Sequence, residues 1–491
     1  MPALIVTNNL EDWPFEVPGA EVADAQSYLT QPEYARRRNV KLFNLCRSYA
    51  YQSTGYYVSL LAEARGHKPL PSVMTLQDMA TPSLVQLASE ELEEAIQHSF
   101  APLQSKEFTL SVYFGRNLAK RYEVLSRKLF NIFESPLLRF RFARGEDGWE
   151  LKKVKTISAS DVPESHRPFV LEAATRHFAG RAVSRGKEVR YSYDLAILHD
   201  PEEHENAPSD EKALKKFVKA GESLGLSVEL ITRDEYGRLS EFDGLFIRQT
   251  TQVNHYTYRF SRRAAREGLV VIDDPVSIAR CTNKVYLAEL LEHHGVPAPK
   301  TLVVHRENID RVEELIGWPC VLKKPDGSFS QGVVKVHNAE ELKTQLTAFF
   351  KESELVVAQE FLPTDFDWRI GILNRRPLYA CKYHMAKGHW QIIQQERTGA
   401  GRYGKSETLP VEMAPRRAVQ VALKAANLVG DGLYGVDIKQ SGGQFHVIEV
   451  NDNPNIDAGV EDQILRDDLY RRIMEVFLER IDLRKARNFR Q

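Results

Sequence analysis

The stretch that decides the fold is residues 433–461, LYGVDIKQSGGQFHVIEVNDNPNIDAGVE. It predicts two strands joined at Gly442-Gly443, because a glycine pair between two runs of apolar and β-branched residues is typical of a tight hairpin turn. Alternate side chains of a strand share a face, so Glu449 and Asn451 lie on the same side. A turn that closes at the glycine pair places Asp437 opposite Glu449. The hairpin therefore predicts two carboxylates and one amide oxygen close together.

Two interpretations of these acids remain open. Their neighbours Val436, Ile438, Ile448 and Val450 are apolar, and like charges held close together in such surroundings repel unless a cation lies between them. An all-oxygen ligand set without His or Cys favours Mg²⁺ or Mn²⁺ over zinc. The alternative is an ordinary polar hairpin whose acids are solvated.

Length and composition predict a globular protein of two or three domains. The chain has 491 residues, of which 43% are hydrophobic and 27% charged, which is too long for a single core and too apolar for global disorder. The net charge of −1 argues against a protein that coats nucleic acid or an anionic membrane. Four scattered cysteines without a CxxC pair favour buried thiols over disulfides or a metal site.

The start of the chain, MPALIVTNN, lacks the basic and long apolar regions of a signal peptide. No apolar run reaches the length of a membrane span. We therefore expect a cytoplasmic protein that does not act in a membrane.

Residues 1–180, predicted as an N-terminal α/β domain, are the least informative segment. Apolar residues recur at roughly helical spacing within residues 39–64. Residues 138–154 predict a hairpin with one apolar face. Basic residues outnumber acids in residues 116–155, which indicates either a docking surface for an acidic partner or RNA, or simply a solvated face.

Residues 187–275 predict a small parallel α/β domain, because apolar strands alternate with amphipathic helices. The predicted elements are strands at 193–198, 228–232, 245–248 and 269–272, with helices at 209–224 and 256–267. Arg248-Gln249-Thr250-Thr251 follows the carboxyl end of a strand, where such sheets usually bind ligands. A polar loop without a ligand is the alternative.

Residues 276–491 form the longest organised unit. A helix capped by Thr282 is predicted to carry Lys284, and a strand at 320–323 ends at Lys323. The segment PDGSFSQG follows this strand closely. Such a Gly/Ser loop can lay backbone N–H groups over phosphates while the ammonium supplies charge, although a mobile hairpin turn has the same pattern.

Three glycine patterns do not match known nucleotide motifs. Residues 327–332 have the outer spacing of a P-loop, but Val333-Val334 follows in place of Lys and Ser or Thr. Residues 399–404 and 430–435 both fit GxGxxG, yet neither runs from a strand into a helix as the dinucleotide turn requires. A Walker A motif and a Rossmann turn are therefore both excluded.

The order of the remaining motifs is more specific than any one of them. Lys284 precedes Lys323 with its Gly/Ser loop, followed by QEFL at 359–362, by DWR at 367–369, and by the hairpin with GVDI and EVNDNPN. This series resembles the ATP-grasp superfamily, and most closely its RimK branch, the glutamate ligases that modify a ribosomal protein. The resemblance covers about residues 191–483. Residues 1–180 resemble the RimK-like ATP-grasp N-terminal extension of a longer subgroup.

The resemblance implies a multidomain α/β and α+β protein in which an ATP-grasp fold (276–491) follows a small parallel α/β domain (187–275) and the N-terminal domain. It also implies roles for individual residues. Those that would bind ATP are Lys284, Lys323, Ser328, Gln359, Glu360, Phe361, Leu362 and Asp367. Asp437, Glu449 and Asn451 would ligate two Mg²⁺ ions, and Arg369 would act with Lys323 on the acyl-phosphate or on the carboxylate to be activated.

Two departures from the family pattern concern the substrate. Ser330 replaces the second glycine of the phosphate loop, and residues 391–393, Gln-Ile-Ile, replace an Arg-Ser-Asn segment beside the triphosphate. Arg397 or Arg402 could restore the missing charge. The identity of the added amino acid therefore stays open.

The expected function is ATP- and Mg²⁺-dependent formation of an amide through an acyl-phosphate. The expected substrate is an amino acid or a peptide, with a protein as a further possible substrate. No protein nucleophile is needed for this chemistry, which agrees with the lack of a Ser/His or Cys/His signature. We also expect a homo-oligomer. The alternatives are a catalytically silent ATP-binding regulatory module and a ribosome-associated one.

Overall fold

The computed structural model describes residues 3–37, 40–145, 148–179, 191–203, 207–327, 332–386, 389–392 and 404–488. The chain divides into two compact units, Met1–Asp194 with Asp234–Glu241, and Leu195–Arg233 with Phe242–Gln491. Among the helices of the described residues, none combines the length and the apolar composition that a membrane span requires.

The first unit contains two sheets and eight helices in the described ranges. Its strands are β1 (Ala3–Thr7), β2 (Ala20–Asp24), β3 (Lys41–Asn44), β4 (Lys68–Leu70), β5 (Glu107–Tyr113), β6 (Leu137–Arg144) and β7 (Trp149–Thr156). Its helices are α1 (Ala25–Thr30), α2 (Pro32–Arg36), α3 (Thr54–Ala64), α4 (Val73–Ala80), α5 (Pro82–Glu91), α6 (Glu93–Phe100), α7 (Glu123–Ile132) and α8 (Arg167–Ala179).

The sheets of the first unit differ in strand direction. The order β2-β1-β3-β4 is parallel throughout, and β5-β6-β7 is antiparallel. The hairpin predicted at 138–154 is confirmed as β6 and β7. The helix indicated by the spacing at 39–64 is confirmed only from Thr54 onward. Residues 41–44 are a fully buried strand instead. A strand buried on both faces lacks the alternation that distinguishes it from a helix.

Basic side chains of residues 116–155 form ion pairs with nearby acids. Arg116 pairs with Glu123 at 3.3 Å, and Arg141 pairs with Glu107 at 2.7 Å. Both members of the second pair are more than half exposed. Part of the positive charge on this surface is therefore neutralised within the unit, as in a solvated face.

The second unit contains three sheets and eight helices in the described ranges. Its strands are β8 (Tyr193–Leu198), β9 (Leu226–Ile231), β10 (Gly244–Ile247), β11 (Val270–Ile272), β12 (Thr301–Val304), β13 (Cys320–Lys323), β14 (Val333–Val336), β15 (Val356–Glu360), β16 (Phe366–Leu373), β17 (Arg376–His384), β18 (Ser406–Leu409), β19 (Leu433–Ser441) and β20 (Gln444–Asp452). Its helices are α9 (Glu211–Ser223), α10 (Tyr256–Arg266), α11 (Pro275–Thr282), α12 (Lys284–His293), α13 (Arg311–Leu315), α14 (Ala339–Phe349), α15 (Arg416–Val429) and α16 (Asp467–Asn488).

The predicted parallel α/β segment is confirmed. The sheet has the order β11-β10-β8-β9, with β8 and β11 both parallel to β10. The side chain of Asp210 caps α9 by accepting from the backbone N–H of Ala213 at 2.8 Å, and Gly225 follows this helix with φ of +81°.

Two antiparallel sheets form the rest of the second unit. One has the order β12-β15-β13-β14, and the other has the order β18-β17-β16-β19-β20. Alanines of α15 pack with Val436, Ile438 and Val450 in the core beneath the five-stranded sheet. The cap of α12 is Asn283, whose side chain accepts from two backbone N–H groups, so the prediction of Thr282 is wrong by one residue. Thr282 instead ends α11, and its hydroxyl bonds to the Ile278 carbonyl.

Candidate active site

The hairpin of β19 and β20 has the predicted register. Asp437 pairs directly with Glu449, and Gly435 pairs with Asn451. The turn is Gly442-Gly443, and both glycines have positive φ, 55° and 76°, as a two-residue hairpin turn of this type requires. Asp437, Glu449 and Asn451 therefore lie on one face of two adjacent strands.

One detail of the hairpin corrects the sequence prediction. The register shifts after Asp437, so that Ile438 pairs with Val447 and Ile448 is the extra residue. Val447 is fully buried in the core, whereas Ile448 is only partly buried. A β-bulge accounts for the difference, because it turns the side chains on one side of the extra residue to the opposite face.

Asp437 is held by a two-pronged ion pair with Arg369. The guanidinium donates to the two carboxylate oxygens at 2.6 and 2.7 Å, and the side chains are only 13% and 11% exposed. The two residues are register partners on β16 and β19. Asn451 adds a third donor, Nδ2 to Oδ2 at 3.1 Å, while its own side-chain oxygen accepts no hydrogen bond from the described residues.

Gly435 is required by the close packing around Arg369. A Cβ atom at this position would lie 2.8 Å from Cβ of Pro454 and 3.0 Å from Cδ of Arg369. Both distances are shorter than van der Waals contact. The glycine of the GVDI motif therefore makes room for the guanidinium stem and for the chain that leaves β20.

Glu449 faces two lysines from other parts of the unit. Its Oε1 lies 3.0 Å from Nζ of Lys284, the first residue of α12. Burial alone would raise the pKa of Glu449, but Lys284 and Lys323 outweigh it and hold the pKa below its ordinary value. Nζ of Lys284 also donates to the carbonyl of Gly327 at 2.5 Å. Lysine and arginine side chains therefore supply positive charge beside the two acids, which are not simply solvated.

Lys323 ends β13 and is 8% exposed. Burial lowers the pKa of its ammonium to about 8, and the positive charges of Lys284 and Lys439 act in the same direction. Anionic phosphate oxygens would stabilise the charged form. The lysine is therefore placed in a site that favours binding of an anion.

Asp367 pairs with a lysine that sequence reasoning missed. Nζ of Lys439 donates to Oδ1 of Asp367 at 2.7 Å, and the Thr364 hydroxyl donates to the same oxygen at 3.0 Å. Burial raises the pKa of Asp367, with Lys439 opposing that effect. Strand periodicity could have identified Lys439, because it lies two residues after Asp437 in the same strand.

The predicted adenine segment begins at the end of β15, an interior strand of the four-stranded sheet. Val321 pairs with Gln359 on one side and with Lys335 on the other, which places both on the face that carries Lys323. Gln359 donates to the Thr301 hydroxyl at 3.0 Å. Nζ of Lys335 lies 4.6 Å from the ring centroid of Phe361.

The next residues of this segment lie beside it. The backbone N–H of Glu360 donates to the Lys300 carbonyl at 2.8 Å, and Leu362 is half-buried. Several predicted residues fall outside the described ranges, namely Ser328, Ser330, Ile393, Arg397 and Arg402.

A cavity of about 670 Å³ adjoins the residues predicted to bind metal, and its volume is in the range of small-molecule sites. Arg369, Asp437, Glu449 and Asn451 line it together. The lining also includes the stretch after β20, with Asp457 and Glu461, and residues 207–210. Thr250 and Thr251 also line the cavity, so part of the loop predicted after β10 faces it.

Arg248 lies outside this lining and is completely buried. Its guanidinium donates to the Pro454 carbonyl at 2.8 Å, to the Asn453 amide oxygen at 2.7 Å and to the Pro208 carbonyl. These bonds tie the end of β10 to the segment after β20. Arg248 therefore stabilises the wall of the cavity, a role that short-range sequence patterns do not reveal.

The donor set at this face fits Mg²⁺. Two carboxylates and an amide oxygen are hard oxygen ligands, and the cavity leaves space for phosphate oxygens to complete the coordination shell. Within the described residues, no group of three or more acidic, histidine or cysteine side chains forms a ready-made metal site.

Family models match two parts of the chain. Residues 25–173 match the RimK-like ATPgrasp N-terminal domain, and residues 281–475 match the RimK-like ATP-grasp domain.

Curated relatives match at about one quarter identity. A probable alpha-L-glutamate ligase of Vibrio vulnificus is 27% identical over 271 residues, which is 51% of this chain and 87% of the relative. The alpha-aminoadipate–LysW ligase LysX of Saccharolobus solfataricus is 25% identical over 253 residues, 49% of this chain and 88% of the relative. Among solved structures, a RimK domain ATP-grasp protein of Sphaerobacter thermophilus matches with a TM-score of 0.44 and 17% identity, covering 58% of this chain and 99% of that chain.

The two family models agree with the resemblance drawn from the motif series. The chain contains a RimK-like ATP-grasp N-terminal domain, followed by a RimK-like ATP-grasp domain.

Proposed function

We propose that this protein is an ATP- and Mg²⁺-dependent carboxylate–amine ligase that forms an amide through an acyl-phosphate. The observation that carries the proposal is the pairing of Asp437 with Glu449 on the hairpin, next to Lys284, Lys323 and Arg369. Relatives named as glutamate and aminoadipate ligases support the reaction class.

The side chains of the site would perform distinct tasks in the first step. Lys284 and Lys323 bind the phosphates of ATP, and Asp367 bonds to its ribose. Asp437, Glu449 and the amide oxygen of Asn451 would hold the metal, which would supply positive charge to the phosphates. A substrate carboxylate attacks the γ-phosphorus, and the resulting acyl-phosphate would lie near Arg369.

The positive charges around Glu449 support phosphate binding at this site. Lys284 lies 3.0 Å from Glu449, and Lys323 and Arg369 also act on its carboxylate. Lys439 is paired with Asp367 instead and lies near enough to Lys323 to affect it. When a polyphosphate enters, these cations gain anionic partners in a site sheltered from water. Electrostatic stabilisation of this kind is usually the largest single contribution to phosphoryl transfer.

The substrates we propose are amino acids. One amino acid, glutamate in the simplest case, would be joined through an amide bond to another amino acid, a peptide, a protein end or a small amine. The relatives named above ligate glutamate and aminoadipate, which differ by one methylene group.

A screen of amino-acid pairs tests the proposal. Each pair of the twenty amino acids is incubated with the full chain, ATP and Mg²⁺, and ADP release is measured before mass analysis of the product. We expect at least one pair to stimulate ADP release and to yield a condensed product. If no pair stimulates ADP release although ATP binds tightly, the alternative of a silent nucleotide-binding module is favoured.

A further inference from the structure

The cavity lining is acidic. Among the residues that the structure describes, the lining contains one basic side chain, Arg369, which is already paired with Asp437. The acids that line it are Asp210, Asp326, Asp437, Glu449, Asp452, Asp457 and Glu461. In the described part of the chain, neither Asp457 nor Glu461 forms an ion pair with a lysine, arginine or histidine. A positively charged group in this cavity would therefore find uncompensated carboxylates.

Glu461 is the most enclosed of these acids, with an exposed fraction of 1%. One carboxylate oxygen accepts from the Tyr383 hydroxyl, and the other accepts from the backbone N–H of Asp457 at 2.8 Å. The Tyr383 ring lies 5.2 Å from the guanidinium carbon of Arg369. Glu461 is thus connected by direct contacts to the residue that pairs with Asp437, and it faces the same cavity.

We propose that Glu461 binds the ammonium group of the acceptor substrate and removes its proton before the nitrogen attacks the acyl-phosphate. This inference rests on the proposed ligase function and identifies the amine side of the same site. An ammonium ion cannot act as a nucleophile, so amide formation requires a base within reach of the acceptor. Glu461 lines the cavity, and its described contacts include no cationic side chain.

Amide formation removes two protons from the acceptor nitrogen. The ammonium nitrogen gives one proton to Glu461, and its freed electron pair forms the C–N bond. The bond between the carbonyl carbon and the phosphate oxygen breaks, and its electron pair leaves with inorganic phosphate. The nitrogen loses its second proton to that phosphate, and Glu461 returns its proton to solvent.

The surroundings of Glu461 support this role. Burial raises the pKa of its carboxyl to about 7, against the hydrogen bonds from Asp457 and Tyr383. A base with a pKa near the working pH is the most effective kind. The titratable and charged groups that influence it are Tyr379, Cys381 and Tyr383 of β17, Asp457 of its own loop, Arg248 after β10, and Tyr470 of α16.

Two nucleophiles distinguish a role of Glu461 as a base from a role in the earlier phosphoryl transfer. Hydroxylamine is largely uncharged at neutral pH, so it captures an acyl-phosphate as a hydroxamate without a base. Glu461→Gln and the wild type are compared in two reactions. The first uses an amino-acid pair that stimulates ADP release and measures the amide. The second keeps the same carboxylate substrate, replaces the amine by hydroxylamine and measures the hydroxamate. We expect amide formation to fall about 100-fold or more, while hydroxamate formation is unchanged.

Two further variants complete the experiment. Tyr383→Phe keeps the carboxylate and should lose less amide formation than Glu461→Gln. Glu412→Gln, at an exposed position outside the cavity, should lose none. If Glu461→Gln keeps full amide formation, or loses amide and hydroxamate in parallel, the inference is wrong. If the wild type forms neither product from any amino acid, the proposed ligase function itself fails and the inference fails with it.

Discussion

Replacing Arg369 by glutamine should destabilise the second unit in the absence of ligands. Asp437 would lose two hydrogen bonds, of 2.6 and 2.7 Å, together with its paired charge, while remaining almost buried. Breaking a buried ion pair from one side costs about 3–5 kcal/mol. Asn451 still donates to Asp437 at 3.1 Å, and the cavity admits water, so we expect a value at the lower end, about 3 kcal/mol.

The matched control is Arg472→Gln on α16. Arg472 pairs with Asp468 at 2.8 Å, but both side chains are nearly half exposed, and such pairs contribute at most about 1 kcal/mol. Urea unfolding of both variants at pH 7, without nucleotide, gives the two free energies of unfolding. A loss of less than about 1 kcal/mol for Arg369→Gln, equal to the control, would refute the view of a buried, stabilising pair.

Three other substitutions test separate parts of the site. The Glu461 carboxyl binds its proton more tightly in the folded protein (pKa about 7) than in the unfolded chain (4.5), so wild-type stability falls as pH rises between these values. From pH 4.5 to 8, Glu461→Gln should therefore gain about 3 kcal/mol of unfolding free energy relative to the wild type in urea unfolding. Parallel pH curves for the two proteins would contradict this expectation. Lys284→Met should weaken ATP binding by about 1.5–3 kcal/mol in calorimetry, whereas Lys215→Met at an exposed position should leave it unchanged. If Lys284→Met binds ATP as tightly as Lys215→Met, the assignment of Lys284 to the phosphates is contradicted. Gly435→Ala should cost about 1–3 kcal/mol of unfolding free energy, because its Cβ would lie 3.0 Å from Arg369; an unchanged denaturation midpoint would show that the packing can relax.

The sequence predicted the hairpin well because its signals are local. The glycine pair marks the turn, the turn determines the register, and the register brings Asp437 opposite Glu449. The bulge at Ile448 was not predictable, since no glycine or proline marks it. The N-terminal region was harder to predict for a related reason, because the buried strand at 41–44 has a continuous burial pattern that resembles part of a helix.

Roles that depend on distant contacts were not predicted. Arg248, which lies in the loop considered for ligand binding, bonds instead to Pro454 and Asn453, about 200 positions away in the sequence. Glu461, in the segment after β20, accepts from Tyr383 of β17. Such contacts follow from the packing of whole sheets and have no short-range pattern. By contrast, Lys439 could have been identified from the alternation of β19, since it shares a face with Asp437.

The most direct test of the central claim follows an oxygen atom from substrate to phosphate. An amino acid that stimulates ADP release is labelled with ¹⁸O in its carboxylate, and the phosphate formed by the full chain is analysed by mass spectrometry. If the carboxylate attacks the γ-phosphorus, one ¹⁸O atom enters each phosphate, and Glu449→Gln should abolish the labelled product. Phosphate that carries no label would show that water is the nucleophile and would contradict the acyl-phosphate account.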